Sequence, residues 1–119
     1  MSWTPPPASH FRERLSLERQ IRVRDAGGGF DDTWTTVEAD MAAAVAHQRG
    51  NERVIADRLS GISNYEIVLR ACATTECVST ADRLVDRAGR TFDIKWIGSL
   101  DIARRYVVIH AETGGAFNG

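Results

Sequence analysis

The stretch from Asp82 to Glu112, DRLVDRAGRTFDIKWIGSLDIARRYVVIHAE, constrains this chain more than any other. It reads as three short strands in succession. Asp82–Arg87 offers Leu84 and Val85 as its apolar pair, and Ala88-Gly89 supplies a two-residue turn with a glycine for the positive φ. Thr91–Ile97 alternates, with Phe92, Ile94 and Trp96 expected on the inner face and Thr91, Asp93 and Lys95 on the outer. Gly98–Asp101 is a break. Arg105–Ala111 is β-branched and aromatic, rich enough to pack on both faces. A meander of this kind leaves one apolar face uncovered, so the rest of the chain must supply a second sheet or close a barrel.

The preceding residues supply more strands. Leu17–Arg24 alternates, with Leu17, Ile21 and Val23 expected inward and Arg19 as an exception near the strand start. Trp34–Val45 does the same through Val37, Ala39, Met41, Ala43 and Val45. Its alanine-rich end is compatible with helix on propensity, but the unbroken alternation favours strand. Ser63–Cys72 repeats the pattern with Tyr65, Ile67, Leu69 and Ala71. A helical turn is expected at Phe11–Leu15 and a short helix over Gly50–Leu59, capped by Asn51 and ended by Gly61. The expected fold is a mainly β, closed or nearly closed antiparallel barrel of about six strands with one short helix and flexible termini.

At 119 residues the chain forms one domain. Its expected parts are a Pro-rich N-terminal arm over 1–14, the barrel over 15–112 and a C-terminal tail over 113–119. A net charge of −1 argues against a dedicated nucleic-acid binder. No apolar run reaches the length of a membrane span, and no signal-peptide pattern opens the sequence. Synthesis and retention in a cytoplasm are therefore expected, with Cys72 and Cys77 reduced.

Signs of chemistry are sparse. Cys72-x4-Cys77 with His47 or His110 lacks the second ligand pair of a metal knuckle. No histidine lies in a recognisable catalytic motif. The run Gly27-Gly28-Gly29 lacks dinucleotide-binding spacing, and Asp31 with Asp32 reads as a solvated acidic turn. No cofactor, metal or catalytic residue is assigned. What remains is a set of aromatics on segments expected to be loose: Trp3 beside Pro5, Pro6 and Pro7, Phe30 in the glycine loop Asp25–Thr33, and Phe117 near the C-terminus. Aromatics on mobile segments usually serve a partner.

The order of features then carries a resemblance. A first strand (Leu15, Leu17, Ile21) leads to a glycine-rich loop with Asp25, Gly28 and Gly29 and a tryptophan (Trp34), then to V-x-A-x-M (Val37, Ala39, Met41). A helix with Gly50, Glu52 and Ala56 precedes the strand Tyr65–Arg70. D-R-L-V, G-R-x-F-D-I (Gly89–Ile94) and R-Y-V-V-I (Arg105–Ile109) follow. The set resembles the head–tail joining, or head-closure (stopper), proteins of tailed phages, prophages and gene transfer agents.

The resemblance implies a structural, non-catalytic virion component. It would form a cyclic ring at the neck, six- or twelve-fold, between an adaptor on the portal side and the tail terminator. Double-stranded DNA would pass through without sequence-specific binding and would be held there until ejection. Asp25, Gly27, Gly28, Gly29, Phe30, Asp31 and Asp32 become candidates for a channel or ring-contact loop. Trp3, Pro5, Pro6, Pro7 and Phe117 become candidate docking arms. Two other readings stay open: a single-stranded nucleic-acid-binding barrel, and a small metal enzyme built on the two cysteines and a histidine.

Overall fold

The computed structural model of the chain describes residues 4–48, 61–72, 75, 77–98 and 105–113. The helix expected over Gly50–Leu59 lies outside them. Among the described residues six strands form: β1 (Glu13–Arg24), β2 (Phe30–His47), β3 (Ser63–Arg70), β4 (Arg83–Asp86), β5 (Thr91–Gly98) and β6 (Tyr106–Thr113). They close into a barrel in the order β1-β2-β3-β6-β5-β4, every neighbour antiparallel. Closure is made by the first half of β1, where Leu15–Glu18 pair with Asp86–Arg83.

Side chains from all six strands fill the interior. Leu15, Leu17, Ala43, Tyr65, Ile67, Leu69, Leu84, Phe92, Ile94, Val107, Ile109 and Ala111 form one buried cluster. A barrel this narrow has no lumen of its own. Phe92 sits edge-on to Tyr65 at 5.3 Å, and the Arg90 guanidinium lies over both rings, at 4.7 and 5.4 Å. The period-2 pattern of β3, β4 and β6 thus has its ordinary cause: alternate residues turn into a closed, dry interior.

The structure corrects three expectations of facing. Trp96 points outward, 41% exposed, because the β5–β6 register shifts between Ile94 and Trp96. The bulge at Lys95 places Trp96 opposite outward-facing His110 and turns Ile97 in against Ile109. The indole stacks on His110 at 4.7 Å and occupies the space a Cβ at Gly98 would need. Ile21, Val23, Val37 and Ala39, expected inside, are exposed, because here β1 and β2 have run past the end of the barrel and no strand among the described residues faces them. Arg19 sits mid-strand, not near a strand start.

The N-terminal segment also differs. The expected turn at Phe11–Leu15 is instead a 3-10 turn at Ala8–His10, and the chain is strand from Glu13. Phe11 is buried on the outside of the barrel against Ala44, Val68 and Val108, with Arg70 over its ring at 4.8 Å. Phe92→Ala should cost about 3–5 kcal/mol, whereas Ile21→Ala, on the exposed extension, should stay within about 0.5 kcal/mol. Urea unfolding of the two variants measures both.

Candidate assembly surface

Beyond Glu18 the strands β1 and β2 leave the barrel as a two-stranded ribbon. Its pairs run from Glu18–Thr36 to Arg24–Phe30 without interruption. Every residue from Gln20 to Asp40 is exposed. Two register shifts, on either side of Leu17, mark where the ribbon departs. There β2 carries extra residues, and Asp40 takes a left-handed φ of 53° that aspartate tolerates better than most side chains. Its N–H donates to Ser16 Oγ at 3.3 Å.

The root is fixed by charge. Arg19 donates through Nε and Nη2 to both Asp82 oxygens, at 3.0 and 3.1 Å, and through Nη2 to the Cys77 carbonyl. Asp82 is only 2% exposed and also accepts the Ser79 N–H at 3.0 Å. The hydrogen bonds and charge of Asp82 raise the Arg19 pKa, so the guanidinium stays charged at any ordinary pH. This pair ties the ribbon to the connection leading into β4.

The tip is a formed turn. Asp25 Oδ1 accepts the Gly27 and Gly29 N–H groups, both at 2.9 Å, and the Asp25 N–H donates to the Gly29 carbonyl. Gly28 carries φ +87°. The β4–β5 turn repeats this arrangement: Asp86 Oδ1 accepts from Ala88 and Arg90, and Gly89 has φ +90°. Both are D-x-x-G-x turns, a three-residue connection closed by a left-handed glycine. The loop expected over Asp25–Thr33 is thus confined to Asp25–Gly29, and the turn expected at Ala88-Gly89 extends from Asp86 to Arg90.

The candidate residues are placed accordingly. Asp25, Gly27, Gly28 and Gly29 build the tip; Phe30, Asp31 and Asp32 open β2. One ribbon face carries alternating aromatics and cations. Arg22 lies over Phe30 at 5.5 Å and pairs with Asp32 at 3.4 Å. Arg83 lies over Trp34 at 4.2 Å and pairs with Glu18 at 2.7 Å. The other face, continuing the barrel interior, carries Ile21 and Val23, 42% and 44% exposed. Trp34 and Val37, not singled out for contact from sequence, are large apolar side chains exposed like Phe30, which is 60% exposed. Pro5 and Pro6 are half-buried and Pro7 precedes the 3-10 turn. Pro6 borders a groove of about 140 Å³ with His10, Arg12 and Glu66. Trp3 and Phe117 lie outside the described residues. Cys72 and Cys77 are not joined in a disulfide, and the Thr75 hydroxyl lies 3.6 Å from Cys72 Sγ. Among the described residues no group of three or more His, Cys, Asp or Glu side chains is arranged to hold a metal ion.

A family model described as phage head completion protein matches residues 6–114. The chain belongs to that family. A chain in the virion of a native gene transfer agent particle is similar at 25% identity and a TM-score of 0.56, with 86% of this chain and 94% of that one covered. A protein of Shigella flexneri 2a, solved in solution, shares the fold with a TM-score of 0.65, 20% identity and coverage of 91% and 96%. No curated protein matches the chain. Family and virion neighbour together support a structural role in a virion.

Two outcomes test the ribbon's anchoring. Gly28→Ala should cost about 1 kcal/mol because of its left-handed backbone, while Gly27→Ala should be tolerated; thermal unfolding separates them. Asp82→Ala should speed amide hydrogen exchange across Arg19–Arg24 and leave β3 and β6 protected.

Proposed function

We propose that this chain is the ring-forming subunit of a head–tail neck, a stopper between the portal-bound adaptor and the tail terminator. Copies surround a channel through which double-stranded DNA passes and in which it is retained until ejection. The observation that carries this reading is the ribbon. A head completion family member holds out an ordered two-stranded extension, with large apolar side chains exposed on both faces, from a barrel whose own core is already filled. A free-standing hairpin is marginal in water, so such an extension calls for a partner. In this reading the tip residues Asp25–Asp32 face the channel or an adjacent ring. The N-terminal prolines with Trp3, and Phe117, dock on neighbours in the manner of arms. A net charge near zero suits a channel wall that DNA must slide past. No bond-making step is assigned.

A second reading has one observation in its favour. Phe30 and Trp34 interleaved with Arg22 and Arg83 resemble the stacking face of a single-strand binder. Both arginines are, however, already paired with carboxylates, Asp32 and Glu18. Titration with a fluorescent oligonucleotide at low and high salt decides between them: a single-strand binder gives a steep salt slope, and the neck subunit gives no saturable binding.

Deleting Gly27–Gly29 should yield particles that assemble but lose packaged DNA, read by nuclease sensitivity and electron microscopy. Particles that assemble, retain DNA and eject normally would remove the tip from the stopper role.

A further inference from the structure

Both long edges of the ribbon lack a strand partner among the described residues. On β1 this begins after Glu18, the last residue paired with β4. On β2 it covers 30–42, because pairing with β3 begins only at Ala43. The two edges carry opposite charge. Between 19 and 24 β1 has three arginines and no acid; between 30 and 40 β2 has Asp31, Asp32, Glu38 and Asp40 and no base. Charged side chains on an edge strand ordinarily prevent indiscriminate pairing. Here the signs do something more selective. They disfavour β1 against β1 and β2 against β2, and favour β1 of one copy against β2 of another.

We infer that in the assembled ring the β1 edge of each ribbon pairs with the β2 edge of the next copy, joining the ribbons into one continuous antiparallel sheet. The inference rests on the ring reading above and adds its contact. Its geometry is self-consistent. In a ring whose ribbons all point the same way, β1 of one copy runs opposite to β2 of its neighbour, as antiparallel pairing requires. An edge that meets a different edge is a heterologous contact, the kind that rotation closes into a ring. The stretch from Glu18–Thr36 to Arg24–Phe30 is free of register shifts and about 20 Å long at the usual rise per residue, enough for a regular ladder. Pairing would also satisfy the outward-facing backbone groups of both edges and surround Ile21 and Val23 with neighbouring strands.

The test is complementation between chains. Over the distal stretch, 20–24 on β1 and 30–36 on β2, Arg22→Glu/Arg24→Glu makes both edges acidic and Asp31→Arg/Asp32→Arg makes both edges basic. All four side chains are exposed on the extension and the Arg22–Asp32 pair there is worth at most about 1 kcal/mol, so both variants should still fold and unfold cooperatively. Each variant supplied alone to assembling particles should lose the neck ring and the packaged DNA. Both supplied together should restore them, because the acidic β1 of one chain then meets the basic β2 of the other. Repair within a chain cannot produce that result, since the Arg22–Asp32 pair stays mismatched in each. Rings formed normally by either variant alone, or no rescue by the mixture of folded chains, overturns the edge pairing. Wild-type particles that lack a ring of this chain overturn the neck reading itself, and the edge pairing with it.

Discussion

Four residues of β1, Leu15–Glu18, hold the molecule together in two directions at once. On one side they pair with β4 and close the barrel; on the other they lie against β2 where its register shifts. Leu15 and Leu17 sit in the closed interior, fully buried. Immediately afterwards Arg19 meets Asp82, and the same strand continues into solvent as half of the ribbon. The apolar core thus stops where the ion pair begins. Burial stabilises the barrel, and a charge pair at its mouth fixes the extension that the barrel itself does not need.

The strands of the barrel were legible because their alternation has a closed interior as its cause. Tyr65, Ile67 and Leu69, or Val107 and Ile109, show it directly. The same rule failed on the ribbon. Ile21 and Val23 alternate just as well, yet among the described residues nothing faces them within one copy. Period-2 alternation reports that a strand has two different faces; it does not say whether the partner of the apolar face lies in the same chain. Trp96 was misplaced for a different reason. One extra residue at Lys95 inverts every later side chain, and no propensity announces it.

The tip shows how composition can mislead where spacing would not. Three consecutive glycines and the nearby acids suggested a slack loop. Only Gly28 occupies a backbone region that favours glycine, and the carboxylate of Asp25 gathers the amides around it. The signal was present in D-x-x-G-x, spelled out again at Asp86–Arg90, where a single glycine suffices. Among the described residues no group of three or more His, Cys, Asp or Glu side chains is arranged to hold a metal ion. Family membership places the interest of the molecule in its surfaces instead.

The two register shifts beside Leu17 act on β2 like a double frameshift. Each alone would exchange the strand's faces, moving Phe30 and Trp34 across to the side of Ile21 and Val23. Together they offset by two, and parity is restored from Thr36 to the tip. Loss or gain of one residue between Thr36 and Met41 would therefore exchange the faces of distal β2 relative to β1 while leaving the barrel intact. Loss of two would shorten the kink and keep the faces. Length variation in this segment is thus expected to come in even steps.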